Sequence, residues 1–261
     1  MKKFTSKIAL IPITAGLALA LAGCNGASTP PDQSSTSTTA AGSAEVAAET
    51  TTTDTIVVPE ASDIFPRALE AMQSASSAAL IGDLTRGSEA MTLKLSGTRD
   101  GSNTLAEVTA EGSTIQILNV GGTGYLKADK SFFSQQAGED AAKMIDLVAG
   151  DKWISVSDTS QFGDFSVGSL IDSFGEDGLK EADLAKIEPG AIEDVNGVKA
   201  FKYSDDETDM WFAAEGEPFL LKMSSDGTAG DDAGTMTFSD WNAVPLHAAP
   251  DSSETVTIPG L

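Results

Sequence analysis

Residues 91–110 read MTLKLSGTRDGSNTLAEVTA, and this stretch decides the fold. Every second residue from Met91 to Leu95 is apolar, and the same alternation returns at positions 106–110 after the turn signal Asp100-Gly101. Period-two alternation on both sides of an Asp-Gly turn predicts a hairpin of two antiparallel strands, each with one buried face.

The same pattern continues towards the C-terminus and predicts eight to ten strands joined by short turns, which favours an antiparallel meander. Its strongest hairpin signal is Asn196-Gly197. A meander of this length must curve to hide its apolar face. Besides the hairpin of residues 91–110, the predicted strands cover 114–120, 124–128, 153–157, 187–195, 198–204, 210–214, 218–224 and 234–239.

Helical patterns stand on either side of the first strands. The spacing predicts a helix from Ile64 to about Ile81, capped by Ser62 or Asp63, with Pro66 in its first turn. A second helical region interrupts the meander between residues 131 and 174. We therefore expect an α+β fold, a curved antiparallel sheet with helices packed on its concave face.

The N-terminus predicts export and lipid attachment. A basic start is followed by a short apolar run, Ile8–Leu21, which ends in Leu21-Ala22-Gly23-Cys24. The run is too short for a stable membrane span, and the pattern resembles a lipobox with cleavage after Gly23. We expect residues 1–23 to be a signal peptide and Cys24 to carry the lipid; the alternative is an ordinary secretory signal that happens to end in Cys.

Three segments follow the signal peptide. Residues 24–60 are rich in Ser, Thr, Ala and Gly and predict a disordered acidic tether; residues 61–250 predict one domain, and residues 251–261 a C-terminal tail. After residue 23 the chain carries 13 basic and 39 acidic residues, a net charge of −26. Such a charge argues against nucleic acid as a partner.

The residues needed for common catalysis are scarce. His247 is the single histidine and stands between prolines near the C-terminus, and no Gly-x-Ser-x-Gly elbow is present. With one Cys and one His, a Cys/His metal site is excluded, and the acidic turn at 205–209 lacks calcium-loop spacing. We expect no enzyme activity, no cofactor and no metal.

The region 131–174 is rich in aromatic residues and methionine, which fits either plain core packing or the wall of an apolar cavity. For the second interpretation the predicted wall consists of Phe132, Phe133, Met144, Ile145, Val148 and Phe174.

Several short stretches, in this order behind a lipobox, resemble the LppX/LprG-type lipoproteins of actinobacterial cell envelopes, which are related in fold to the LolA carriers. These stretches are Gly150-Asp151-Lys152-Trp153-Ile154, Val195-Asn196-Gly197-Val198, Asp209-Met210-Trp211-Phe212, Glu215-Gly216-Glu217-Pro218 and Thr237-Phe238-Ser239-Asp240-Trp241. The resemblance implies an unclosed half-barrel of the LolA type with a lipid cavity between sheet and helices. It also implies an acylated lipid or glycolipid as cargo.

Two functions follow as hypotheses. The first is a carrier or chaperone for acylated lipid, held on the extracytoplasmic side of the cell membrane through Cys24. The second is a non-catalytic interaction or sensor module on the same fold, with an envelope protein as its partner. A hydrolase, the third alternative, has no motif to support it.

Overall fold

The sheet has twelve strands in the order β12-β6-β5-β4-β3-β2-β1-β11-β10-β9-β8-β7. The computed structural model describes residues 57–156, 166–176, 184–227 and 233–258. Neighbouring strands are antiparallel except β12 and β6, and no pairing among the described residues joins the outermost strands, so the sheet is unclosed. The strands are β1 Ser77–Arg86, β2 Glu89–Thr98, β3 Asn103–Ala110, β4 Ser113–Val120, β5 Thr123–Ala128, β6 Trp153–Val156, β7 Glu188–Val195, β8 Val198–Ser204, β9 Thr208–Ala213, β10 Leu220–Ser225, β11 Ala233–Ser239 and β12 Thr255–Thr257.

The alternating sequence separates the two faces of the sheet. One apolar row crosses six neighbouring strands in direct register: Leu80, Leu95, Ala106, Ile117, Leu126 and Ile154. On the opposite face Lys94 Nζ lies 2.7 Å from Glu107 Oε1, and Gln116 Nε2 donates to Glu107 Oε2 at 2.6 Å. The apolar row buries its side chains under helices, whereas the polar row faces outward.

Four helices pack on the apolar face: α1 Ala61–Ser74, α2 Lys130–Ala137, α3 Glu139–Ala149 and α4 Val167–Glu176. In α1, Phe65 packs edge-on against Tyr203 and Phe212, with ring centroids 5.6 and 4.8 Å apart. In α4, Phe174 packs edge-on against Phe238 of β11, with ring centroids 6.3 Å apart. The predicted α+β fold, an antiparallel unclosed sheet with helices on one face, is confirmed.

The predicted helix from Ile64 to Ile81 is wrong at both ends. Helix α1 begins at Ala61, so Pro66 lies beyond its first turn. The residue before the helix is Glu60, whose side chain makes no capping hydrogen bond. It ends at Ser74, and the following residues form β1, which pairs with β2 and β11. An Ala-rich stretch satisfies both periods, and two flanking strands decide in favour of the strand.

The chain after β11 runs back to the far edge of the sheet and adds β12 beside β6. Buried Asn103 fixes this segment, because its Nδ2 donates to His247 O at 2.9 Å and its Oδ1 accepts from His247 N at 2.8 Å. Strands β1 and β12 are the two that the sequence pattern did not predict. Residues 255–257 of the predicted C-terminal tail therefore belong to the sheet.

The predicted signal peptide, Gly23, Cys24 and the tether as far as residue 56 lie outside the described residues.

Candidate functional site

An apolar cleft lies between α2 and the ends of strands β1 to β4, with a cavity volume of about 210 Å³. Phe132 of α2 faces it from the helix side. Its floor comes from alternate positions of the four strands, which the register brings together on the helix-bearing face. The apolar floor residues are Leu84, Met91, Val108, Ala110 and Ile115.

Asp129 fixes the start of α2 on the sheet. Its Oδ1 accepts from the backbone N–H of Phe132 at 2.9 Å as the helix cap and from Ser131 Oγ at 2.6 Å, while its Oδ2 accepts from the backbone N–H of Thr114 at 2.6 Å. Burial alone would raise the pKa of Asp129, but these hydrogen bonds outweigh it and the pKa is lowered. One carboxylate therefore joins the helix that borders the cleft to a strand of its floor.

The rim of the cleft is polar and acidic. Gln135 and Gln136 of α2 face Glu89 and Glu111, which are both exposed, and Gln135 Nε2 donates to Ser113 Oγ at 3.0 Å. The rim therefore disfavours an anionic group at the mouth, while the floor favours an apolar one.

The six residues predicted from the sequence as a cavity wall do not all lie together. Three of them do meet: Phe133 is buried in a cluster with Ala142, Ala149 and Ile154, and both Phe132 and Ile145 pack against this cluster. Phe132 also lines the cleft. Met144 and Val148 are exposed on α3, and Phe174 belongs to α4.

The floor residues missed by the sequence reasoning stand in strands, most of which it predicted. Met91 and Val108 are inward-facing positions of the two strands in the opening hairpin. Nothing in the sequence marks which part of a continuous apolar face a helix leaves uncovered.

His247 lies in a structural contact. Its Nε2 is 3.0 Å from Ser96 Oγ and also 3.3 Å from the backbone oxygen of Ser96, on the face of the sheet opposite the cleft. Together with the bonds from Asn103, this contact holds the C-terminal segment on the sheet. Within the described ranges, no group of three or more His, Cys, Asp or Glu is arranged to hold a metal ion.

No helix in the described part of the chain is both long and apolar enough to cross a membrane.

No protein-family model and no curated protein matches the chain. The structure is similar to LprF from Mycobacterium bovis, with a TM-score of 0.45 and 14% identity over 73% of this chain and 97% of that one. It is also similar to the Mycobacterium tuberculosis lipoprotein LppX, with a TM-score of 0.43 and 13% identity over 72% and 98% of the two chains. An uncharacterized conserved protein from Thermus thermophilus matches with a TM-score of 0.34, 8% identity and coverage of 77% and 100%. Solved structures of LppX/LprG-type lipoproteins are thus among those similar to this chain. At these sequence identities the similarity is one of fold and not of function.

Proposed function

We propose that this protein binds an acylated lipid or glycolipid, with an acyl chain inside the apolar cleft, and that it works without catalysis. The observation that carries the proposal is the cleft itself, because an apolar floor from four strands lies open beside Phe132 instead of being filled by α2. Apolar surface left uncovered within a fold is unfavourable in water, so such a concave site favours an apolar occupant.

The driving force is desolvation of the acyl chain, at about 0.8 kcal/mol for each buried CH₂ group. The volume of about 210 Å³ is smaller than the roughly 300–1,000 Å³ of ordinary ligand sites. The cleft therefore takes part of one chain as it stands, and a longer chain requires α2 to move away from the sheet. Gly138, with φ of 85° between α2 and α3, supplies a backbone conformation at which the helix pair can bend.

The site of action follows from the N-terminal sequence. In this proposal residues 1–23 are removed after Gly23, and lipid on Cys24 holds the protein on the extracytoplasmic side of the cell membrane. Mass spectrometry of the membrane-bound protein tests this anchor, because a Cys24→Ser variant should appear in the soluble fraction without the added acyl mass.

The binding function is tested with a cleft-filling variant. Ala110 lines the floor, so Ala110→Trp should abolish uptake of a fluorescent fatty-acyl probe and reduce the lipid extracted from the purified protein. Ala191→Trp, at an exposed position of β7, is the matched control and should bind as the wild type does. Unchanged probe uptake by folded Ala110→Trp would exclude the cleft as the lipid site.

A second candidate is a non-catalytic interaction or sensor protein on the same fold. The volume of the cleft favours it, because about 210 Å³ is less than an ordinary ligand site offers. In that case the purified protein should contain no extractable lipid and take up no probe, and cross-linking in the envelope should join it to a protein partner.

A further inference from the structure

Helix α3 carries two apolar faces, and one of them is covered. Ala142 and Ala149 are buried in the cluster with Phe133 and Ile154. The other face shows Met144, Leu147 and Val148 with exposed fractions of 71, 87 and 57%. Positions i, i+3 and i+4 lie side by side on a helix, so the three side chains form one exposed apolar patch, which we call the α3 patch.

We propose that the α3 patch inserts into the surface of an uncharged, zwitterionic lipid bilayer and docks the protein there. The inference rests on the proposed function, since that function places the protein on a tether at a membrane. Exposed contiguous apolar side chains on a helix mark contact with a protein or a lipid surface. The size of the patch favours lipid, and the charge around it favours a lipid surface without net charge.

The size of the patch favours lipid over protein. A stable protein interface takes about 20–30 residues from each partner, and the α3 patch offers three aliphatic side chains. A bilayer needs no matching surface, and a few apolar side chains on a helix are sufficient for peripheral contact when a tether already keeps the protein close.

The charge around the patch decides the kind of lipid surface. Four exposed carboxylates stand on or beside α3, at Glu139, Asp140, Asp146 and Asp151. Two exposed lysines stand against them, Lys143, which lies 3.7 Å from Asp140, and Lys152. These carboxylates repel anionic headgroups, so insertion by the apolar side chains must carry the contact on a neutral surface.

The placement of the patch fits the cleft. Helix α3 follows α2 directly at Gly138 and packs against it, and α2 supplies Phe132 to the cleft. A bilayer that takes up the α3 patch is therefore in contact with the helix pair that borders the cleft.

The first test follows entry of the patch into lipid. The chain from residue 24 with Cys24→Ser carries no acyl anchor, and Val148→Cys in that background accepts an environment-sensitive dye at the patch. Val198→Cys, at a valine that is 43% exposed in the β7–β8 hairpin, is the matched control. With phosphatidylcholine vesicles the dye at position 148 should brighten and shift to the blue, and the dye at 198 should not. Equal behaviour at both positions overturns the proposal.

The second test weakens the patch with a charge. Leu147→Glu should reduce partition into phosphatidylcholine vesicles by about tenfold or more, because a leucine is lost from lipid contact. Leu246→Glu, at a leucine that is 74% exposed outside α3, should leave partition unchanged. Addition of phosphatidylglycerol should weaken binding; stronger binding on that lipid, or a dimer that Leu147→Glu converts to a monomer, would overturn the proposal.

The two proposals fail separately. Leu147→Glu lies outside the lining of the cleft and should take up the acyl probe normally. If vesicle docking holds while the wild type takes up no probe, the lipid-binding function is wrong and the docking surface stands. If probe uptake holds while neither test detects docking, the docking surface is wrong and the cleft stands.

Discussion

Replacement of Asp129 by Ala should destabilise the protein by removing the link between α2 and β4. The substitution deletes the acceptor of the backbone N–H groups of Phe132 and Thr114, which are bound at 2.9 and 2.6 Å. Loss of a helix cap costs about 0.5–2 kcal/mol, and loss of a charged acceptor about 1.5–3 kcal/mol. Because Asp129 is half-buried and water replaces part of these bonds, we expect a loss of about 2–3 kcal/mol in the free energy of unfolding.

Urea unfolding at neutral pH measures this loss, and Asp206→Ala at an exposed turn position is the control. Asp129→Asn keeps one oxygen acceptor and should lose about 1 kcal/mol less than Asp129→Ala. A loss below about 0.5 kcal/mol for Asp129→Ala, or equal losses for Ala and Asn, would refute the role of the carboxylate.

The effect of Asp129 should also depend on pH. Since its pKa in the folded protein is lowered, its stabilising contribution is fully present above the unfolded pKa of about 3.9. It is lost as the pH falls through the folded pKa. The difference in stability between the wild type and Asp129→Ala should therefore shrink only in strong acid, and a difference that fades near neutral pH would contradict this assignment.

Four further substitutions test other contacts. Tyr203→Phe should cost about 0.5–1.5 kcal/mol in the free energy of unfolding, because the buried hydroxyl donates to a backbone oxygen. Burial raises the pKa of Tyr203 to about 12, which absorbance titration can check. In urea unfolding the wild type should therefore lose stability relative to the variant as the pH rises from about 10 towards 12. Asn103→Ala should cost about 1–3 kcal/mol and speed amide exchange in β12, whereas His247→Ala, which keeps the two backbone bonds to Asn103, should cost less. Gly168→Ala should cost about 1–3 kcal/mol in urea unfolding, because a Cβ there would overlap the backbone oxygen of Arg99; a neutral result would show that α4 shifts freely.

Most of the sheet could be predicted from the sequence because its strands bury one face and expose the other. The alternation in residues 91–110 and the turn at Asn196-Gly197 fix local register without any distant partner. Strands β1 and β12 could not be found in this way. The first contains Ala-rich residues that suit helix and strand alike, and the second is three residues long and pairs with β6 about a hundred residues away.

The cleft was beyond sequence reasoning for a different reason. Apolar residues in 131–174 satisfy the same pattern whether they enter a core, as Phe133 does, or stay exposed, as Leu147 does. The outcome depends on how far α2 lies from the strands, and Asp129 sets that distance through bonds to Thr114. A polar cap at the start of α2 thus helps to determine what its apolar side chains can cover.

The helices should also differ in how easily they leave the sheet. Helix α1 buries six side chains, Phe65 among them, whereas α2 buries Phe133 alone and α3 buries two alanines. Local opening costs less where fewer apolar contacts are broken, so amide hydrogens of α2 and α3 should exchange faster than those of α1. Hydrogen exchange followed by mass spectrometry measures this directly. Bound acyl lipid should slow exchange in α2 and α3 and leave α1 unchanged, because only those helices must move to admit it. Slower exchange in α1 alone would place the lipid, and the opening, at the other end of the sheet.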